Sequence, residues 1–161
     1  YAGVYKNESA TIADYPVYHV TFQNNNTTFA VLSVAQGTSL GEAFPAAPVN
    51  ASFRFVGWFN GDTQVTSTTV INSNITVTAK WDFLGSGTLA SPYEIPSTDA
   101  WNFLADNVNN GNTYSGKYFQ LTNDITVTTM VNGTFSGTFD GAGYTLTFTY
   151  TSTANNGTTP R

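Results

Sequence analysis

His19-Val-Thr-Phe-Gln-Asn-Asn-Asn26, Phe55-Val-Gly-Trp-Phe59 and Thr78-Ala-Lys-Trp81 frame the stretch that decides the fold. Its runs are rich in β-branched and aromatic residues, and Asn, Gly or Pro marks each break. Such a pattern predicts short, half-buried strands joined by tight turns. Tyr18–Phe22 reads as a strand meeting a turn at Asn24–Asn26, and Phe29–Val34 as its partner, closed by Gln36-Gly37. Ser39–Phe44 reads as one helical turn, with Ser39 as the cap, Glu42 three residues on and Pro45 as the stop. Phe53–Phe59 is a third strand running into Asn60-Gly61, a strong two-residue hairpin signal. Thr69–Ile71 and Ile75–Trp81 complete the sheet. The aromatic residues of this stretch are placed for packing, and few ionisable groups remain for chemistry.

Composition carries the same message over the whole chain of 161 residues, which suits one mid-sized domain or two small ones. Charged residues make up 9%, against roughly 25% in ordinary soluble domains. With 27 Thr and 17 Asn, hydroxyls and amides must solvate the surface. The net charge of −5 and five scattered cations argue against nucleic acid. No apolar run approaches the length of a membrane-spanning helix. The absence of Cys removes disulfides, thiol catalysis and Cys-based metal sites. An acidic, Thr/Asn-rich and Cys-free chain suits a prokaryotic cell surface. The start at Tyr1, without Met or a signal-peptide pattern, reads as a processed chain or an excised piece. Seven Asn-x-Ser/Thr sequons arise readily in so Asn- and Thr-rich a chain, so they are weak evidence for glycosylation.

Outward from that stretch, residues 1–18 read as a leading strand or linker and Gly85-Ser-Gly87 as a boundary, giving a module at 19–83 and a second part at 84–161. The second part opens with the one clear helical pattern, at about 98–109. Trp101, Leu104, Ala105 and Val108 share a face, Ser97 or Thr98 caps the start, Asp99 suits the first turn, and Gly111 ends it. Short strands follow between glycine turns, at Tyr118–Leu121, Asp124–Thr128, Gly133–Phe139 and Tyr144–Tyr150. The last alternates strictly, with Leu146, Phe148 and Tyr150 on one side and Thr145, Thr147 and Thr149 on the other.

Val20-Thr-Phe22 with its Asn-rich turn, Gly37, Pro45, Pro48, Phe55-Val-Gly-Trp-Phe59 and Ile75-Thr-Val-Thr-Ala-Lys-Trp81 together resemble the Listeria–Bacteroides repeat, the B-repeat family of internalin-type surface proteins, over about 19–81. Asn24-Asn-Asn26 stands where that family usually has Asn-Gly-Gly, and Asn tolerates positive φ better than most residues. The resemblance implies a small β-grasp-like module used in series as a spacer or adhesive unit. Gly85 to Ile95, Phe119 to Ile125 and Phe135 to Tyr144 resemble the opening segment of right-handed parallel β-helix surface domains, over about 85–150. Ala142 stands where such sequences often have Asn, and the chain supplies roughly one coil of a solenoid that needs two or three. The expected fold class is therefore mainly β: a β-grasp-like module plus a short, capped β-helix-like segment with one α-helix.

Candidate chemistry is sparse. Asp124 and Asp140 are the best carboxylate pair, and β-helix glycosidases and lyases use such pairs. Asp at strand starts and turns more often bonds nearby backbone N–H groups, and that reading is preferred. His19 is the only histidine, so a Ser/His/Asp triad would have to be built on it, and zinc lacks ligands. Trp58, Trp81 and Trp101 are read as structural core rather than sugar platforms. Tyr114, Tyr118, Asp140 and Tyr144, near the glycine turns, are the candidate contacts. The sequence thus points to a non-catalytic extracellular spacer or adhesion unit with no catalytic, cofactor or metal residues. Its expected partner is a surface protein, a glycan, or a copy of itself at an open β-edge. The alternatives are a self-assembling filament or layer subunit and a truncated carbohydrate-active β-helix enzyme.

Overall fold

A computed structural model describes residues 15–149. Its elements are β1 (Val17–Asn24), β2 (Thr27–Ala35), β3 (Thr38–Ser39), β4 (Phe53–Asn60), β5 (Thr63–Val65), β6 (Val70–Ile71), β7 (Ile75–Phe83), β8 (Tyr93–Ile95), α1 (Thr98–Asn109), β9 (Tyr118–Leu121), β10 (Ile125–Val127), β11 (Thr138–Asp140) and β12 (Leu146–Phe148). The fold is mainly β. Contacts divide it into two units, one with residues up to Ala47 and Val56–Lys80, the other with Pro48–Phe55 and residues from Trp81 onward. Phe53, Phe55 and Trp81 therefore group with the second part, although the sequence reading places them in the 19–83 module. Phe53 packs edge-on against Phe103 of that unit, and Phe55 packs edge-on against Trp81.

In the first unit, β1 and β2 form an antiparallel hairpin, and β1 pairs in parallel with β7 through Val20↔Ile75 to Gln23↔Thr78. The sheet order is β2-β1-β7-β4-β5. Asn25 and Asn26, at φ 48° and 60°, are the two left-handed centres of the first hairpin turn. Two such residues match the twist of a hairpin, and Asn meets the demand without glycine. The second hairpin turns on Gly61, at φ 60°, and Asp62, while Asn60 remains in β4 opposite Thr63. Val20, Phe22, Trp58 and Val77 are almost wholly buried, and the Phe22 and Trp58 rings meet edge-on at 5.0 Å. The helical turn expected from Ser39 is a 3-10 turn at Gly41–Ala43 with no side-chain cap. Ser39 is instead in β3, which pairs with β6.

In the second unit, strands stack in parallel. β8, β9 and β11 form one ladder, with Tyr93↔Phe119↔Phe139 in register, and β10 and β12 form another, with Ile125↔Leu146 and Val127↔Phe148. Helix α1 matches its expected span, and Ser97 Oγ accepts the Ala100 N–H at its start. Its buried face is Ala100, Trp101, Leu104, Ala105 and Val108, and Trp101 Nε1 donates to the Thr129 carbonyl at 2.9 Å. The expected strand at Gly133–Phe139 shrinks to Thr138–Asp140, because the backbone before it bonds elsewhere. Asn109 Oδ1 accepts the N–H groups of Asn132 and Gly133, and Ser136 N–H donates to Thr113 O. Gly133 lies so close to helix α1 that a Cβ there would sit 2.2 Å from the Val108 carbonyl oxygen. The last strand is Leu146–Phe148, and Tyr150 falls outside the described residues.

Candidate functional site

The register of β9 and β11 sets Thr138 beside Tyr118 and Asp140 beside Gln120, so Tyr118 and Asp140 share the outward face of that pair. Tyr118 is half-buried and its N–H donates to the Gly87 carbonyl. Asp140 is exposed, and its Oδ1 accepts the Ala142 N–H at 2.8 Å. That bond closes an Asx turn around Ala142, a residue held at φ 46°. Tyr144 is 45% exposed, and its N–H closes the same loop on the Gly141 carbonyl. Asp124 is also committed to backbone, accepting the Thr145 N–H. The candidate carboxylates thus serve the backbone, Asp140 within a turn and Asp124 across to the next rung.

Tyr114 is half-buried, like Tyr118. Its backbone is left-handed, at φ 50°, and its N–H donates to Asn112 Oδ1. This aims the ring at Phe119, 5.0 Å between centroids, and at Phe83 and Tyr93. Burial, the Asp82 carboxylate and Tyr93 push its hydroxyl from the ordinary 10.0 up to about 12. Among the tryptophans, Trp58 and Trp101 are buried, whereas Trp81 is only half-buried.

His19 Nδ1 lies 3.0 Å from Ser33 Oγ across the β1–β2 pair, on an exposed face. The three cations among the described residues are each engaged. Arg54 pairs with Asp82 at 3.1 Å, Lys80 pairs with Asp62 at 3.3 Å and lies over the Phe59 ring, and Lys117 lies over the Tyr93 ring. Exposed pairs of this kind contribute little to stability. Among the described residues no three of His, Cys, Asp and Glu cluster where a metal ion could be held.

Sequence reasoning did not find the concave feature of the second unit. A cavity of about 200 Å³ is lined by Trp101, Leu104, Val131, Phe135, Phe139 and Leu146. Burial falls from the middle to the last rung of the first ladder and from the first to the last rung of the second. Phe119 is buried and Phe139 half-buried, Ile125 is buried and Leu146 half-buried, Val127 is buried and Phe148 is 43% exposed. A signal was present in the sequence, since Phe135 and Phe139 flank Ser136-Gly137-Thr138 at the spacing of a strand and its turn. In the first unit, a pocket of about 300 Å³ has Asn60, Thr63, Asn72 and Ser73 among its walls, with no aromatic platform.

Residues 18–80 match the family model of the Listeria-Bacteroides repeat domain. That repeat occurs in bacterial surface proteins. No match to a curated protein was found.

Proposed function

We propose that the chain is a non-catalytic module of a bacterial surface protein, acting as a spacer or adhesion unit outside the cell. The repeat match over residues 18–80 supplies the context for this reading. The observation that carries it is the use of Asp124 and Asp140 as acceptors for the backbone N–H groups of Thr145 and Ala142. A general acid or a nucleophile needs a carboxylate facing a substrate. The parallel ladders of the second unit support its reading as the start of a β-helix. A screen for turnover of polysaccharides tests the proposal. No turnover is expected, and turnover that disappears in Asp140→Asn would overturn it in favour of a carbohydrate-active enzyme.

A second reading is favoured by the fading burial at Phe139, Leu146 and Phe148. In it, the last rungs of the ladders meet another copy of the chain. The first rung is engaged on its outer side, where the Glu94 N–H donates to the Leu84 carbonyl. The two ends of the stack therefore differ, and self-contact at the far end closes as a two-fold pair rather than an open filament. Light scattering against concentration tests this: a mass that stays monomeric removes the reading, and a mass that keeps growing restores the filament.

A further inference from the structure

The chain carries three Asn-Gly pairs among the described residues, Asn60-Gly61, Asn110-Gly111 and Asn132-Gly133. This dipeptide is chemically labile because a glycine amide nitrogen, unhindered by a side chain, can reach the preceding Asn side chain. The fold treats the three pairs differently. Gly111 N–H donates to the Val108 carbonyl at 3.0 Å. Gly133 N–H donates to Asn109 Oδ1 at 3.0 Å, with its Cα pressed against the Val108 carbonyl. In both, the nucleophile is engaged as a donor. Gly61 is exposed at a hairpin tip and, like Gly111, has nothing within 4 Å of the place its Cβ would take, but its amide lacks the turn bond that holds Gly111 and the side-chain bond that holds Gly133.

We infer that Asn60 is a built-in site of spontaneous deamidation and isoaspartate formation. Asn60 is exposed and forms the last pair of the β4–β5 hairpin, opposite Thr63. β5 is a three-residue strand at the edge of the sheet, so this pair opens more readily than the core. On opening, the Gly61 amide gives its proton to hydroxide and its nitrogen attacks Asn60 Cγ. The new N–C bond closes a five-membered succinimide, and the side-chain nitrogen leaves as ammonia. Water then opens the ring at either carbonyl, giving aspartate or an isoaspartate whose main chain runs through the former side chain. One water is consumed and one ammonia released, with no oxidant or reductant.

The product alters the tip in two ways. It adds a carboxylate two residues from Asp62, which pairs with Lys80. The isoaspartate form also lengthens the backbone where Asn60 and Thr63 pair, and so weakens the β4–β5 pairing.

The test is peptide mapping by mass spectrometry after incubation of the full chain at mildly alkaline pH. Asn60 is expected to gain the deamidation mass several-fold faster than Asn110 and Asn132, mainly as isoaspartate. In denaturant the three rates should converge, since the bonds protecting Gly111 and Gly133 are lost. Gly61→Ala should slow conversion at Asn60 alone. The ranking in the unmodified chain stands as the test even if that variant folds poorly at φ 60°. Conversion at Asn110 or Asn132 as fast as at Asn60, or a ranking that survives in denaturant, would overturn the inference.

Discussion

Asp124 Oδ1 accepts the Thr145 N–H at 2.6 Å, while the Thr145 carbonyl accepts the N–H of the neighbouring Ile125. The two bonds lock the start of β10 to the start of β12, so the carboxylate acts as a peg between successive rungs.

Replacing that peg separates structure from chemistry. Asp124→Asn keeps an acceptor oxygen and should leave stability nearly unchanged. Asp124→Ala leaves the Thr145 N–H to water and should cost about 1 kcal/mol. Urea titration of both variants measures the difference. An Asn variant as unstable as the Ala variant would show that charge, rather than hydrogen bonding, holds the rung.

Tyr114 should make the second unit sensitive to alkali. Its folded-state pKa, about 12, lies above the ordinary 10.0. The unfolded chain therefore releases this proton first as pH rises, and the stabilisation from the neutral phenol is complete below pH 10.0 and lost toward about 12. Tyr114→Phe should remove that part of the decline. Stability measured across this range, with the variant falling as steeply as the parent, would refute the assignment.

Ala142 is a non-glycine residue at φ 46°. Ala142→Gly relieves steric strain at the cost of some unfolded-state entropy, and should stabilise the chain by about 0.5–1 kcal/mol. A lower melting temperature in the variant would show that the turn gains nothing from the freedom of glycine.

The three tryptophans are unequal. Trp58 is 1% exposed, and Trp58→Ala should cost about 3–5 kcal/mol. Trp81, half-buried against Phe55, should cost clearly less. Denaturant midpoints of the two variants test the order, and equal losses would count against it.

Local signals made much of this legible. Helix α1 was readable because its apolar spacing, Ser97 cap and Gly111 stop agree with one another. The Asn24–Asn26 turn was readable because few residues but Asn and Gly accept two left-handed positions in succession. Gly133–Phe139 was misread as one strand because nothing in that segment announces that Asn109 and Thr113 take its backbone bonds. The inward turn of the Tyr114 ring toward Phe119 was not legible for a related reason: it depends on a left-handed backbone at Tyr114 that neighbouring residues do not announce.

By itself the sequence determined that the protein is mainly β and where its helix begins and ends, and residues 18–80 match the model of a repeat found in bacterial surface proteins. Periodicity, capping and turn chemistry are properties of neighbours in the chain, and a sequence displays neighbours directly. Only the tertiary structure decided that Asp124 reaches across to the Thr145 N–H of the next rung, that Tyr114 packs among Phe83, Tyr93 and Phe119, and that the amides of Gly111 and Gly133 are engaged as donors. Each of those depends on contacts whose geometry exists only once the chain has folded.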